Sequence, residues 1–253
     1  MRLAALLLLA VCIPPVSAQV TPKAKVAIPL VGCARGGQMG PIEAPPNSTR
    51  EVSLPPEIAA RLALYAARTD TGVADSGTLA PRGWRCFGVY GSNGSGFYIA
   101  PQPLGADTIL TSKFKGFTGP AIQSSVILGD TSGRFFAAKL EARLFPDEPG
   151  RRAFIQSVIA EKREDSASFV FGPWPQDTLT RRSPTLVEYA TPANTAGAGT
   201  ASLLLPGDQP IKGFVALVGD APNVAQFAVR LPPDMADLAA VIISDAQKKL
   251  VIN

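Results

Sequence analysis

Carboxylate side chains are the residues of this sequence best suited to acid/base chemistry, because the chain contains no histidine. The lack of imidazole excludes Ser-His-Asp and Cys-His catalysis and histidine metal sites. A carboxylate pair remains, as in glycoside hydrolysis. The candidates lie within or near predicted strands: Asp107, Asp130, Glu141, Glu188 and Asp208. Glu141 and Glu188 each interrupt a largely apolar run, which is also typical of the solvent-facing side of a half-buried strand.

Metal ions and cofactors have no recognisable binding motif in the sequence. The carboxylates do not form a calcium loop, and the cysteines are too few for a zinc site. We therefore predict no catalytic residue, no metal ligand and no cofactor.

The cysteines indicate export. Residues 1–18 have the basic start, short apolar stretch and small-residue end of a secretory signal, with cleavage expected after Ala18. Cleavage removes Cys12 and leaves Cys33 and Cys86, which in an oxidising compartment most simply form one structural disulfide. Separate buried thiols are the alternative. The signal is too short to span a membrane, and we predict no transmembrane segment after its cleavage.

Two loops offer possible contacts to a ligand or partner. Ser92 and Asn93 lie in the glycine-rich stretch 88–96, which lacks the following helix that a phosphate-binding loop requires. A hairpin turn is the simpler interpretation, and a small-ligand loop is the alternative. Trp174 lies in the rigid aromatic segment 171–175, where it would either anchor a partner or sugar ring, or cover the core.

Helix signals occur in three places: about 56–68, 149–163, and from 232 to 249. The first rests on Ile58, Leu62 and Tyr65, which share one helical face behind paired prolines. The second has acids before it and basic residues at its end, which suits the helix dipole.

Strand signals are clearest over 84–99. Asn93-Gly94 favours a two-residue type I′ turn that would place Tyr90 opposite Phe97. Both faces of this hairpin are apolar, so we expect it to be an interior pair covered on two sides. Further strands are predicted within 107–145, chiefly at 109–110, 126–128 and 135–144, and at 169–171, 185–190, 202–205, 211–218 and 225–231.

Composition limits the class of protein. Of 253 residues, 17% are charged and 24 are proline, which excludes a coiled coil, a long solenoid and a disordered charged tail. The net charge of +4 is small and scattered, so we predict no nucleic-acid partner. Without regular strand–helix alternation, we predict an α+β fold with a mainly antiparallel sheet and about three helices. Residues 19–253 would form a single globular domain, with 19–53 partly extended.

The stretch 81–95, Pro-Arg-Gly-Trp-Arg-Cys-Phe-Gly-Val-Tyr-Gly-Ser-Asn-Gly-Ser, resembles a family of uncharacterised exported bacterial proteins. In that family a cysteine comparable to Cys33 lies in a Val-Gly-Cys segment near the mature start. Segments 188–192 and 229–232 resemble the family as well. The resemblance implies a bacterial, exported, one-domain protein and carries no activity with it.

We therefore predict an exported, periplasmic or secreted, non-catalytic binding or structural domain, whose partner is an unknown envelope component or protein. A carboxylate-dependent hydrolase of envelope glycans is the alternative. A cleft with two carboxylates about 5–10 Å apart would favour the hydrolase. An exposed apolar patch around Trp174 without such a pair would favour the binding protein.

Overall fold

The computed structural model describes residues 25–68, 77–219 and 222–250. The expected signal, residues 1–18, lies outside them. In the described ranges, no helix has both the length and the apolar character needed to cross a bilayer.

The strands of these ranges form two sheets. They are β1 (Lys25–Cys33), β2 (Arg35–Gly37), β3 (Ser48–Ser53), β4 (Leu62–Ala67), β5 (Thr78–Pro81), β6 (Arg85–Gly91), β7 (Gly94–Ala100), β8 (Ala121–Ile127), β9 (Thr178–Ser183), β10 (Leu186–Thr191), β11 (Ile211–Val218) and β12 (Asn223–Arg230). The smaller sheet has the order β3-β1-β4-β5, and the larger has the order β2-β6-β7-β8-β12-β11-β10-β9. Among the strand pairs of the described ranges, only β1–β4 and β2–β6 are parallel.

The helices are α1 (Pro56–Ala59), α2 (Ala106–Ile109), α3 (Arg134–Leu144), α4 (Pro149–Ala160) and α5 (Ala239–Leu250). Short 3₁₀ turns cover Ser166–Ser168, Ala198–Thr200 and Pro233–Leu238. Of these helices in the described part of the chain, only α3, α4 and α5 are longer than two turns. The predicted α+β fold, with a mainly antiparallel sheet and about three helices, is confirmed.

The larger sheet has an apolar cluster on each face. On one face Ile99, Ile122 and Phe227 pack against the smaller sheet and α5. On the other face Tyr98 and Val215 pack against α3 and nearby loops, in what we call the helix-side cluster. Because the central strands are covered on both faces, their sequences are nearly continuous apolar runs. The expectation that the hairpin is an interior pair holds for its base, where Phe87, Ile99 and Ala100 are buried, but not for its tip, where residues 89–95 are only partly buried or exposed.

A disulfide joins the two sheets. Cys33 ends β1 in the smaller sheet, Cys86 lies in β6 of the larger one, and their sulfur atoms are bonded with the Cα atoms 5.5 Å apart. The predicted Cys33–Cys86 bridge is confirmed.

The predicted helix over 56–68 is largely wrong. The paired prolines do begin a helix, but it ends at Ala59, and Leu62–Ala67 forms β4 between β1 and β5. All six residues of β4 are buried. A surface helix would expose one face, whereas a strand inside a covered sheet exposes neither, and the wholly apolar run fits the strand.

The predicted strand over 135–144 is also wrong, because these residues belong to α3. Leu140 and Leu144 face the helix-side cluster, while Ala138 and Ala142 pack against α4. Each pair is four residues apart, which is the spacing of one helix face. Alanine also favours helix over strand.

Three short segments that are predicted as strands do not form strands. Ile109 ends α2 and Leu110 follows it, residues 169–171 are irregular, and 202–205 contributes only a single bridge, from Leu204 to Phe117. Strand β9 is not predicted because its residues are mostly exposed and polar.

The hairpin forms with a register two residues away from the prediction. Tyr90 pairs with Ser95 and Gly91 with Gly94, so that Ser92 and Asn93 occupy the turn. Gly94 begins β7 with φ +130°, and a Cβ there would lie 1.9 Å from the Val126 carbonyl oxygen. This close approach of β8 requires glycine at the first strand position rather than in the turn.

Candidate functional site

A cleft of about 730 Å³ opens on the helix side of the larger sheet, and we call it the hairpin cleft. Its floor comes from the β6–β7 hairpin, β8 and β12. Its walls come from Gln38 after β2, Leu110 after α2, Phe136 of α3, and Ser202 and Leu203. Volumes of this size are typical of small-molecule sites.

The lining of the hairpin cleft is uncharged. None of the described residues that line it is Asp, Glu, Lys or Arg. Its polar groups are amides and hydroxyls, chiefly those of Gln123, Ser125, Gln226 and Tyr98. Apolar side chains such as Val89, Ile127 and Leu203 separate them. The cleft therefore offers hydrogen bonds and apolar contact, but no ionic partner.

Two glutamines lie on the buried floor, and only one is satisfied. The Leu203 N–H donates to Gln123 Oε1 at 2.8 Å, and Gln123 Nε2 donates to Ser125 Oγ at 3.3 Å. Gln226 Nε2 donates to the Ala198 carbonyl at 3.0 Å, but its buried Oε1 accepts no hydrogen bond. The side chain of Gln226 is only 1% exposed. An orphaned acceptor of this kind is uncommon in a folded protein.

Tyr98 places a hydroxyl beside the same floor. The side chain is buried, and within the described residues its hydroxyl has no hydrogen-bond partner. Burial raises the pKa of Tyr98 to about 12, so the phenol is neutral at physiological pH and can donate a proton to an acceptor. The unpartnered oxygen of Gln226 and the hydroxyl of Tyr98 therefore belong to two side chains that both line the cleft.

Arg230 holds the wall of the cleft that contains Leu203, although Arg230 does not itself line the cleft. Its buried guanidinium donates from Nη1 to the carbonyl oxygens of residues 117–119 at 3.2, 2.8 and 3.2 Å, and from Nη2 to that of Leu205. The Phe117 N–H in turn donates to the Leu203 carbonyl. Arg230 thereby holds together the two loops that carry Leu203 into the cleft.

The predicted contacts Ser92 and Asn93 lie at the rim. Both are exposed in the hairpin turn, and Asn93 lines the cleft. The Ser92 N–H donates to Gln38 Oε1 at 3.0 Å, and Gln38 Nε2 lies 3.5 Å from Ser92 Oγ. The turn is thus tied to the chain that follows β2, which completes this side of the rim.

Trp174 lies apart from the hairpin cleft. It is half-buried against the helix-side cluster, and the Arg143 guanidinium carbon lies 4.7 Å from its ring centroid. Of the two interpretations offered by the sequence, this packing fits a cover for the core.

A second cleft, of about 860 Å³, lies between α5 and strands β9–β11 and holds ionised carboxylates. Glu188 accepts hydrogen bonds from Arg182 at 2.7 Å and Gln247 at 2.8 Å, and the Arg182 bond holds its pKa below the usual value. The hydrogen bond from Arg61 likewise lowers the pKa of Asp237. A general acid needs a raised pKa, so neither group suits that role.

Glu141 has a raised pKa but no access to substrate. It lies in α3 rather than in a strand, and its side chain is fully buried. Burial raises its pKa to about 7, although Arg151 lies 3.8 Å away. The other candidates, Asp107, Asp130 and Asp208, are exposed, and none of them lines either cleft.

Gln226, Gln123 and Tyr98 are not found by the sequence analysis. The available signal is that each glutamine interrupts an apolar strand, Ala121–Ile127 or Asn223–Arg230.

In the described ranges, no cluster of three or more His, Cys, Asp or Glu side chains is suited to hold a metal ion.

The residues of the cleft are the basis for a proposal about its function. The resemblance to exported bacterial proteins stays a proposal. No protein-family model matches the chain, and no curated protein or solved structure shows significant similarity to it.

Proposed function

We propose that this protein is an exported, non-catalytic binding protein, and that the hairpin cleft takes up a small uncharged molecule of the cell envelope or its surroundings. One observation carries the proposal: a cleft without charged lining is lined in part by Gln226, a buried side chain whose oxygen has no partner.

The uncharged lining selects against ions. A charged ligand that enters the cleft gives up its hydration, and the walls offer no opposite charge in return. Burial of an unpaired charge is far more costly than burial of a hydrogen-bonded neutral group. We therefore expect neutral ligands to bind and charged analogues of the same shape to be rejected.

The free oxygen of Gln226 selects for a donor. A buried acceptor without a partner costs about 1–3 kcal/mol, and a ligand O–H or N–H would remove that cost. Tyr98 adds a hydroxyl that both donates and accepts. A ligand with an alcohol or amide group therefore suits this end of the cleft.

The compartment is inferred from the disulfide. A bridge such as Cys33–Cys86 persists where the surroundings are oxidising, as in the periplasm or outside the cell. The signal-like residues 1–18 and the resemblance to exported bacterial proteins support the same assignment. The hydrolase alternative receives less support, because Glu188 and Asp237 are ion-paired and the hairpin cleft has no carboxylate in its lining.

The proposal can be tested with three molecules of similar shape and different charge: benzamide, benzoate and benzylammonium. In ¹⁵N-resolved NMR titrations of the mature oxidised protein, we expect benzamide alone to shift the amides of β7, β8 and β12. The Gln226→Met variant should lose this response. Gln247→Met, the same change in the second cleft, should retain it. Equal responses to all three molecules, or a benzamide response outside the hairpin cleft, would contradict the proposal.

A further inference from the structure

We infer that the ligand of the hairpin cleft is an uncharged amphiphile, which presents a hydroxyl or amide head to Gln226 and leads a hydrocarbon chain out between Leu110 and Phe136. This inference rests on the proposed function and adds the ligand class.

The cleft changes character from its buried end to its mouth. Gln226, whose Oε1 has no partner, is 1% exposed, and Tyr98 is 6% exposed. Leu110 and Phe136 line the same cleft and are 51% and 42% exposed. The polar groups are therefore deep and the large apolar ones shallow, the reverse of the usual arrangement at a protein surface.

The exposed apolar residues at the mouth are unusual for this protein. Among the described residues, the large hydrophobic side chains that are exposed are Met39, Leu110, Phe136, Val170 and Phe171. Leu110 and Phe136 line the hairpin cleft, and Met39 follows the lining residue Gln38. Exposed apolar side chains grouped around an opening mark an interaction site. A hydrocarbon chain is the chemistry that would cover them.

Three further apolar side chains line the cleft. Val89, Ile127 and Leu203 line the cleft and belong to the partly buried margin of the helix-side cluster. A chain attached to a head group at Gln226 would pass along these side chains before it reaches Leu110 and Phe136. Each buried methylene should then tighten binding, by up to roughly fourfold.

A series of alkyl glucosides tests the inference. Methyl, butyl, hexyl and octyl glucoside carry the same uncharged hydroxyl head and can be titrated below the concentrations at which they form micelles. We expect affinity for the mature oxidised protein, measured by calorimetry, to rise about two- to fourfold per methylene. The double variant Leu110→Ser/Phe136→Ser should flatten this dependence, so that octyl glucoside loses much more affinity than methyl glucoside does. Val170→Ser/Phe171→Ser removes two equally exposed side chains away from the cleft and should leave the dependence intact.

The possible failures are distinct. If methyl glucoside binds at the cleft and longer chains bind no better, the amphiphile inference is wrong and the neutral-ligand proposal stands. If octyl sulfate binds the cleft as tightly as octyl glucoside, the neutral-ligand proposal is wrong. The protein could take such a molecule from a bilayer or from free solution, and sedimentation with phosphatidylcholine vesicles that contain dodecyl glucoside distinguishes the two. Protein that pellets with the vesicles takes the glucoside from the bilayer. Protein that stays in solution with bound glucoside takes it from free solution.

Discussion

Gly96 lies directly beneath the hydroxyl of Tyr98, so that a Cβ atom at residue 96 would be 2.4 Å from the phenol oxygen. The two residues are neighbours on one face of β7, and the missing side chain makes the room that the tyrosine ring occupies. The polar end of the hairpin cleft therefore depends on a glycine in a central strand, where glycine would otherwise weaken the sheet.

Gly96→Ala should displace Tyr98 and disturb the cleft. We expect a loss of about 1–3 kcal/mol in unfolding free energy, as in other overpacked cores, measured by urea denaturation. Binding of benzamide should weaken in parallel. Gly150→Ala is the control, because a Cβ there meets nothing within 4 Å and Gly150 lies in the first turn of α4. Unchanged stability and binding in Gly96→Ala would contradict the assigned role of the glycine.

Removal of the disulfide should lower stability markedly. Cys33 and Cys86 are 53 residues apart in sequence, and the chain-entropy model assigns a bridge of this span roughly 4 kcal/mol. The Cys33→Ser/Cys86→Ser variant, which leaves no unpaired thiol, should melt well below the oxidised wild type in calorimetry. Reduced wild type should melt close to the variant. A melting curve that is the same with and without the bridge would show that it has no stabilising role.

Glu141 should make stability fall as pH rises. Its pKa is about 7 in the folded protein against 4.5 for the free side chain, so between these values the folded state holds more protons than the unfolded state. The stability present near pH 4.5 is then lost towards pH 7, by at most about 3 kcal/mol. Glu141→Gln cannot ionise, and its urea midpoint should exceed that of the wild type at pH 8 and approach it at pH 5. A constant difference between the two proteins across this range would be inconsistent with a buried, titrating carboxyl.

Arg230→Lys should loosen the wall that carries Leu203. A lysine ammonium cannot reach all the carbonyl oxygens that the guanidinium now bonds, and buried acceptors left without donors cost about 1–3 kcal/mol each. We expect a loss of at least 2 kcal/mol in unfolding free energy and faster hydrogen exchange at the Leu205 amide. Arg50→Lys, an exposed change in β3, should stay within about 0.5 kcal/mol of the wild type. Equal exchange rates in both variants would count against the bracing role of Arg230.

The sequence predicts those elements whose structure depends mainly on neighbouring residues in the chain. Strand β11 matches its prediction over 211–218, because its apolar residues, with Phe214, Val215 and Val218 among them, favour a strand over a helix. The disulfide is predictable because the expected mature chain has only two cysteines. Leu62–Ala67 is ambiguous locally, since an apolar run fits a buried strand and a helix face alike, and only its position between β1 and β5 decides.

The cleft is harder to predict because its residues meet only through long-range pairing. Tyr98 and Gln123 are register partners in β7 and β8, and Gln226 lies on the next strand, opposite Ser125. Nothing in the three separate segments indicates that they share one face of one sheet. Asn93 is predicted as a contact from its glycine-rich surroundings alone; it lines the cleft, and its contact with a ligand stays a prediction.

The short strand β2 follows Cys33 by one residue, pairs with β6 beside Cys86, and ends next to Gln38 at the rim of the cleft. The Cys33–Cys86 bond thus fixes β2, and with it Gln38 at the rim, against β6 in the floor of the cleft. If the cleft binds a ligand as proposed, reduction of the Cys33–Cys86 bond should release this side of the rim and weaken binding.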